Sequence, residues 1–183
     1  MKAEQQADHD AEIDAMEGSW PRALIAEGRS RNLSIWWVES RANSIREEMP
    51  PFARHSMSAP ISEAFFDVRR ARRLVRGLEA SASKLAEEQA GLMKTAATQT
   101  ADAAVRISRL LVVSRDGSPR FFREVEKLQK RFANRLEVLV LDCDQEALGE
   151  AGFGPGKQAR AVLIDHKTAV VRFLALLDEV PAD

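Results

Sequence analysis

Leu110-Leu-Val-Val-Ser-Arg-Asp-Gly-Ser-Pro-Arg-Phe-Phe122 is the stretch on which the fold turns. Its first four residues are a short apolar run, the mark of a buried strand. Arg115-Asp-Gly-Ser-Pro119 is a turn, with Ser118 placed to cap a helix and Pro119 at the first helical position. Phe121, Phe122, Val125, Leu128 and Phe132 then recur at helical spacing, and Arg120, Arg123, Lys127, Lys130 and Arg131 occupy the other face. Residues 136–141 read as a second strand, and 146–151 suit a short helix. Residues 161–164 and 169–174 read as two more strands around Asp165-His-Lys-Thr168, a hairpin turn. A helix with one apolar stripe, set between two short apolar strands, makes a βαβ unit with parallel strands, and the hairpin adds an antiparallel edge. Residues 109–183 are therefore expected to form a small C-terminal β-α-β-β-hairpin domain.

The order strand, helix, strand, loop, hairpin resembles the later part of a thioredoxin-like domain. That resemblance would imply a CxxC pair near residues 115–119 and a proline before the third strand. The chain has neither: its only cysteine is Cys143, and Gln158 and Ala159 stand where the proline would be. A closing helix is also missing from the expected elements. No dithiol activity is expected, and no internal disulfide can form.

Upstream, residues 31–108 are expected to be mainly helical, with a short strand at 33–38. Leu33, Ile35 and Trp37 lie at period two in Asn32-Leu-Ser-Ile-Trp-Trp-Val38, which is rich in β-formers. Residues 40–48 suit a helix stopped by Pro50 and Pro51. Between 62 and 105 there is no proline, and Ala, Leu, Glu, Arg and Lys dominate, so one long helix is expected. Leu78, Leu85 and Leu92 lie on a 4,3-spaced seam there, a thin coiled-coil pattern suited to self-association. Residues 1–30 read as an acidic, mobile arm. The first 17 residues carry one lysine against six acids and no apolar stripe that asks to be buried.

Composition narrows the function classes. Of 183 residues, 45% are hydrophobic and 30% charged, enough apolar material for a core. The net charge of −1 gives no global pull toward nucleic acid or membrane. The longest apolar run, residues 173–177, is far short of the ~20 needed to span a bilayer, so no membrane partner is expected. The N-terminus lacks a secretory apolar core and a basic transit character, which makes the cytoplasm the expected compartment.

No catalytic constellation emerges. Asp142-Cys143-Asp144 ends a strand and could hold a hard cation, but paired aspartates there are also ordinary turn chemistry. Two acidic neighbours disfavour a Cys143 thiolate. Gly152-Phe-Gly-Pro-Gly-Lys157 departs from a phosphate loop at Ala151 and Gln158, and it leads into a strand. No metal or other cofactor is expected.

The densest basic cluster is Arg69, Arg70, Arg72, Arg73 and Arg76. On a helix, Arg69, Arg72, Arg73 and Arg76 would share an arc of about 100°. The expected function is thus a non-enzymatic adaptor, regulatory or assembly protein, contacting another protein or a second copy of itself. The alternative is a nucleic-acid-associated regulator that uses the basic helix face at 69–76.

Overall fold

The computed structural model describes residues 2–42, 49–96 and 106–177. In chain order they form α1 (Lys2–Ser19), α2 (Arg22–Ala26), α3 (Ser30–Ala42), β1 (Ala53–Ser56), α4 (Ala59–Arg70), β2 (Leu74–Arg76), α5 (Leu78–Ala96), β3 (Arg109–Ser114), α6 (Pro119–Arg131), β4 (Leu136–Asp142), α7 (Gln145–Phe153), β5 (Ala161–Ile164) and α8 (Lys167–Leu177). The strands make one mixed sheet in the order β1-β4-β3-β5-β2, an α+β arrangement. β4 runs parallel to both β1 and β3, while β5 runs antiparallel to both β3 and β2.

The apolar runs of the three central strands are continuous because both sheet faces are covered. Leu110, Val112, Leu139, Leu141, Val162 and Ile164 point into one core, together with buried residues of α1, α3, α4, α7 and α8. Leu111, Val113, Val138, Val140, Ala161 and Leu163 point into the other, under α5 and α6. The alternation is the period of two of a pleated strand, with apolar residues in both phases. α6 follows the sequence reading closely. The Ser118 hydroxyl accepts from the Phe121 N–H at 3.2 Å, Pro119 opens the helix, and Phe122, Val125, Leu128 and Phe132 are buried.

Several expectations are corrected. The hairpin does not form: residues 167–177 are helix α8, and the antiparallel edge beside β5 is β2, supplied from earlier in the chain. Ala169, Val170, Phe173, Leu174 and Leu177 are buried at helical spacing, which outweighs the local β-propensity of the run. α8 thus places a C-terminal helix after β5, where the sequence suggested none. Because β1 and β2 belong to the same sheet as β3, β4 and β5, the division at residues 108 and 109 cuts through one sheet.

The strand expected at 33–38 is part of α3. Its buried face is Ser30, Leu33, Ser34, Trp37 and Val38, a true i, i+3, i+4, i+7, i+8 stripe in which serines hold two of the five places. Both serines have partners, the Ser30 hydroxyl donating to the Glu17 carboxylate of α1 at 3.3 Å. The Ser34 hydroxyl donates to the Ser30 carbonyl at 2.7 Å and accepts from the Trp20 indole at 2.8 Å. Trp20 meets Trp37 edge to face at 5.1 Å. The helix expected at 40–48 continues α3 as far as Ala42, and the remainder lies outside the described residues.

The acidic N-terminal segment is the helix α1, and it does bury an apolar stripe: Ile13 and Met16 are inside, followed by Trp20. Its carboxylates face the basic side of α3. Arg31 pairs with Asp14 and with Glu17, and Arg41 reaches Glu12 at 2.8 Å. The charge that suggested a free arm is complementary to its neighbour.

The long helix expected over 62–105 is interrupted by β2. α4 ends in a Schellman turn: the Arg72 N–H donates to the Arg69 carbonyl and the Arg73 N–H to the Val68 carbonyl, at 2.9 and 3.1 Å. The left-handed position is Arg72, with φ 54°, where glycine is the usual signal. Gly77, with φ 90°, then turns the chain from β2 into α5. Residues 97–105 lie outside the described residues.

The seam is divided as well. Leu85 is buried in this chain's own core and Leu78 packs against it, while Leu92 is exposed. Glu88 on α5 anchors the helix further by accepting from Arg109 at 2.9 Å and Arg135 at 2.6 Å. A self-association seam through Leu78, Leu85 and Leu92 is therefore not available on the folded surface. Among the described residues, no helix is long and apolar enough to cross a membrane.

Candidate functional site

The carboxyl ends of parallel strands are where sheets of this kind most often place ligand groups. Here that edge carries Ser114, the last residue of β3, and Arg115, then Asp142, the last residue of β4, with Cys143 and Asp144. Each carboxylate is engaged in holding the loops. Asp116 accepts from the Ser114 hydroxyl at 2.6 Å and from the Gln145 N–H at 3.2 Å. Asp144 caps α7 by accepting from the Ala147 N–H at 2.8 Å, and Asp142 pairs with Arg115 at 2.8 Å. Among the described residues, no group of three or more His, Cys, Asp or Glu side chains is arranged to hold a metal ion. The turn-chemistry reading of the two aspartates at 142 and 144 matches this geometry.

Cys143 is buried, with its backbone carbonyl accepting from the Arg115 N–H at 3.0 Å. Burial first, and then the charges of Asp144, Asp116 and Asp142, push its thiol up to about 12, against a smaller opposing effect of Arg115. A free cysteine titrates near ~8.5, so the thiolate fraction at neutral pH falls by roughly three orders of magnitude. Native protein at pH 8 should therefore react with iodoacetamide at least ~100-fold more slowly than urea-unfolded protein. Equal rates, measured by mass spectrometry, would mean that the thiol is neither buried nor suppressed.

The glycine-rich segment after α7 folds back on its own helix. The Gly156 N–H donates to Glu150 at 3.2 Å, and the Ala159 N–H donates to the Gln145 carbonyl at 2.8 Å. No helix begins at Lys157, so the geometry of a phosphate loop is absent there.

The basic cluster is redistributed. Arg69 and Arg70 belong to the last turn of α4, Arg72 to the left-handed turn, and Arg73 precedes β2, which contains Arg76. They do not share a helical arc; they gather along the edge of the sheet that β2 forms. Arg70, Arg72, Arg73 and Arg76 are exposed. The guanidiniums of Arg69 and Arg70 lie 5.2 and 5.9 Å from the ring centre of Phe66, which is itself 48% exposed. By contrast, the second basic face, on α6, is partly neutralised: Lys127 pairs with Glu124 and Lys130 with Glu126.

One feature escaped the sequence reading. α4 and α8 flank a cleft of about 360 Å³, to which Arg73 and His166 contribute from the loops and Arg172 from α8. Reading 169–174 as a strand put Arg172 on the wrong geometry. The signal that could have found it is the buried set 169, 170, 173, 174 and 177, whose spacing is helical.

No protein-family model matches the chain, and no curated protein does. Among solved structures, it is similar to a protein with unknown function from Bacillus halodurans C. That likeness has 18% sequence identity and a TM-score of 0.45, and it covers 68% of this chain and 100% of the other.

Proposed function

We propose that the protein is a non-enzymatic adaptor, regulatory or assembly protein that works in the cytoplasm through contact with another protein. The observation that supports this reading is the adjacent pair Leu92 and Met93 near the end of α5, 57% and 65% exposed. Isolated exposed apolar residues are ordinary, but two long ones side by side favour burial against a partner. The test is purification of the full chain from its native cytosol, with and without the double substitution Leu92→Ser and Met93→Ser. A partner present in stoichiometric amount with the wild type and lost from the variant, at unchanged melting temperature, is the expected result. A partner retained by the variant would overturn this reading of α5.

A second reading, a nucleic-acid-associated regulator, has one specific feature in its favour. Phe66 is an exposed aromatic face set among arginines that have no acidic partner among the described residues. Such a combination suits stacking of a base beside phosphate contacts. Steep salt dependence of oligonucleotide binding, reduced by Arg72→Gln with Arg76→Gln, would favour it over the adaptor.

A further inference from the structure

α4 and α8 pack side by side without filling the space between them. The facing positions include Ala64, Ala71 and Ala169, where larger side chains would have closed the gap. Phe173, held edge to face against Phe65 at 5.1 Å, and Leu176 add apolar wall. The resulting cleft of about 360 Å³ is at the small end of the range of ligand pockets, ~300–1,000 Å³. It is a cavity for a small molecule rather than a surface for a protein, whose interfaces need on the order of 1,000 Å².

The polar lining has a sign. Arg73 and Arg172 both contribute, and neither guanidinium has an ion-pair or hydrogen-bond partner among the described residues. Asp67 is the one carboxylate in the lining, so the two guanidiniums outnumber it. Arg73 is fixed through its backbone, its N–H donating to the Val68 carbonyl and its carbonyl accepting from the Asp165 N–H, both at 3.1 Å. That pins the residue where the end of α4 meets the start of α8. Thr168 and Arg172 are four residues apart on α8, so hydroxyl and guanidinium stand on one face. A guanidinium presents a planar fork that matches the oxygens of a carboxylate or phosphate.

We infer that this cleft binds a small organic anion. Its oxyanion head, a carboxylate or a phosphate monoester, is held by Arg73 and Arg172. Its short apolar body lies against Ala64, Ala169, Phe173 and Leu176. Inorganic phosphate would leave the apolar wall in water, and a neutral alcohol would leave both guanidiniums without a charged partner. The site does not involve the α5 contact, and it shares Arg73 with the basic cluster of the nucleic-acid reading.

The experiment is calorimetric titration of the full chain with octanoate, octyl phosphate, inorganic phosphate and octan-1-ol. One or both amphipathic anions should bind at least ~10-fold tighter than the alcohol and the inorganic ion, since charge-assisted bonds are the stronger ones. Which of the two binds tighter identifies the head group. Arg73→Gln and Arg172→Gln should each weaken binding by roughly tenfold. Arg76→Gln, on β2 but outside the cleft, should leave it unchanged. Both Arg73 and Arg172 are exposed, so these variants retain the fold; Ala169→Leu, which fills the cleft, should abolish binding if it folds. Absence of binding by either anion at millimolar concentration would overturn the proposal. So would anion binding that the double variant of Arg73 and Arg172 leaves intact.

Discussion

Leu85→Asp should leave no folded protein at room temperature. Leu85 is 0% exposed and sits in the core beneath α5 and α6, with Leu111, Val113 and Phe122 in the same cluster. An aspartate there must either ionise in an apolar site or take up a proton. Taking up a proton at pH 7 costs about 4 kcal/mol from an ordinary carboxyl of ~3.9. Loss of the buried leucine adds ~2–5 kcal/mol. Together these rival the whole stability of a typical domain, ~5–15 kcal/mol. Leu92→Asp, one heptad further along the same pattern, meets water, because Leu92 is 57% exposed, and should cost less than ~0.5 kcal/mol. Circular dichroism and urea unfolding of the two variants check this. A self-association seam would have made Leu85→Asp a folded monomer with full helix content, and that outcome would refute the core placement.

The same residue shows why part of the fold was legible in the sequence and part was not. A 4,3 pattern states that a helix has an apolar stripe; it does not state whether the stripe meets a sheet or a second helix. For β3, α6 and β4 the local signals agreed with one another. Apolar runs, a Ser-Pro start and a strong amphipathic stripe pointed to a single arrangement, and it formed. The break between α4 and α5 was hidden because an arginine, Arg72, holds the left-handed position where glycine is the expected punctuation. α3 was hidden because Ser30 and Ser34 occupy two of the five places in its buried stripe, and their bonds make that tolerable: Ser34 to the Ser30 carbonyl and the Trp20 indole, Ser30 to the Glu17 carboxylate.

At the sheet edge, Asp142 and Asp144 were legible as turn residues, and they act as such. The cleft was not legible. It depends on α8 being a helix and on Ala64 of α4 and its C-cap residue Ala71 facing an alanine of α8, a juxtaposition that no local pattern records. The basic cluster was visible as composition but misplaced as geometry, for its arc assumed a helix that ends at Arg70.

Gly149→Ala should destabilise the protein, against the usual direction of that substitution in a helix. Gly149 lies in the middle of α7, and in an open helix alanine is favoured over glycine by ~1 kcal/mol. Here a Cβ would fall 2.2 Å from the Lys157 carbonyl oxygen and 2.5 Å from the Gln158 Cα. Both atoms are backbone, so no side chain can swing away. The segment itself is tied down. The Ala159 N–H donates to the Gln145 carbonyl at 2.8 Å, and the Arg160 carbonyl accepts from the Ser114 N–H at 3.0 Å. Relief of the clash must therefore either lift 157–160 off α7 or tilt α7 away from the sheet, and each disturbs the start of β5. Overpacking of this kind costs ~1–3 kcal/mol, more than the helical preference returns. Gly91, in α5, is the matched control: a Cβ there meets nothing within 4 Å, and Gly91→Ala should stabilise by ~0.5–1 kcal/mol. Urea unfolding midpoints should thus move in opposite directions for the same chemical change. A Gly149→Ala midpoint above that of the wild type would mean that the turn at 154–158 does not lie against α7, and that the glycine is there for a reason other than close approach.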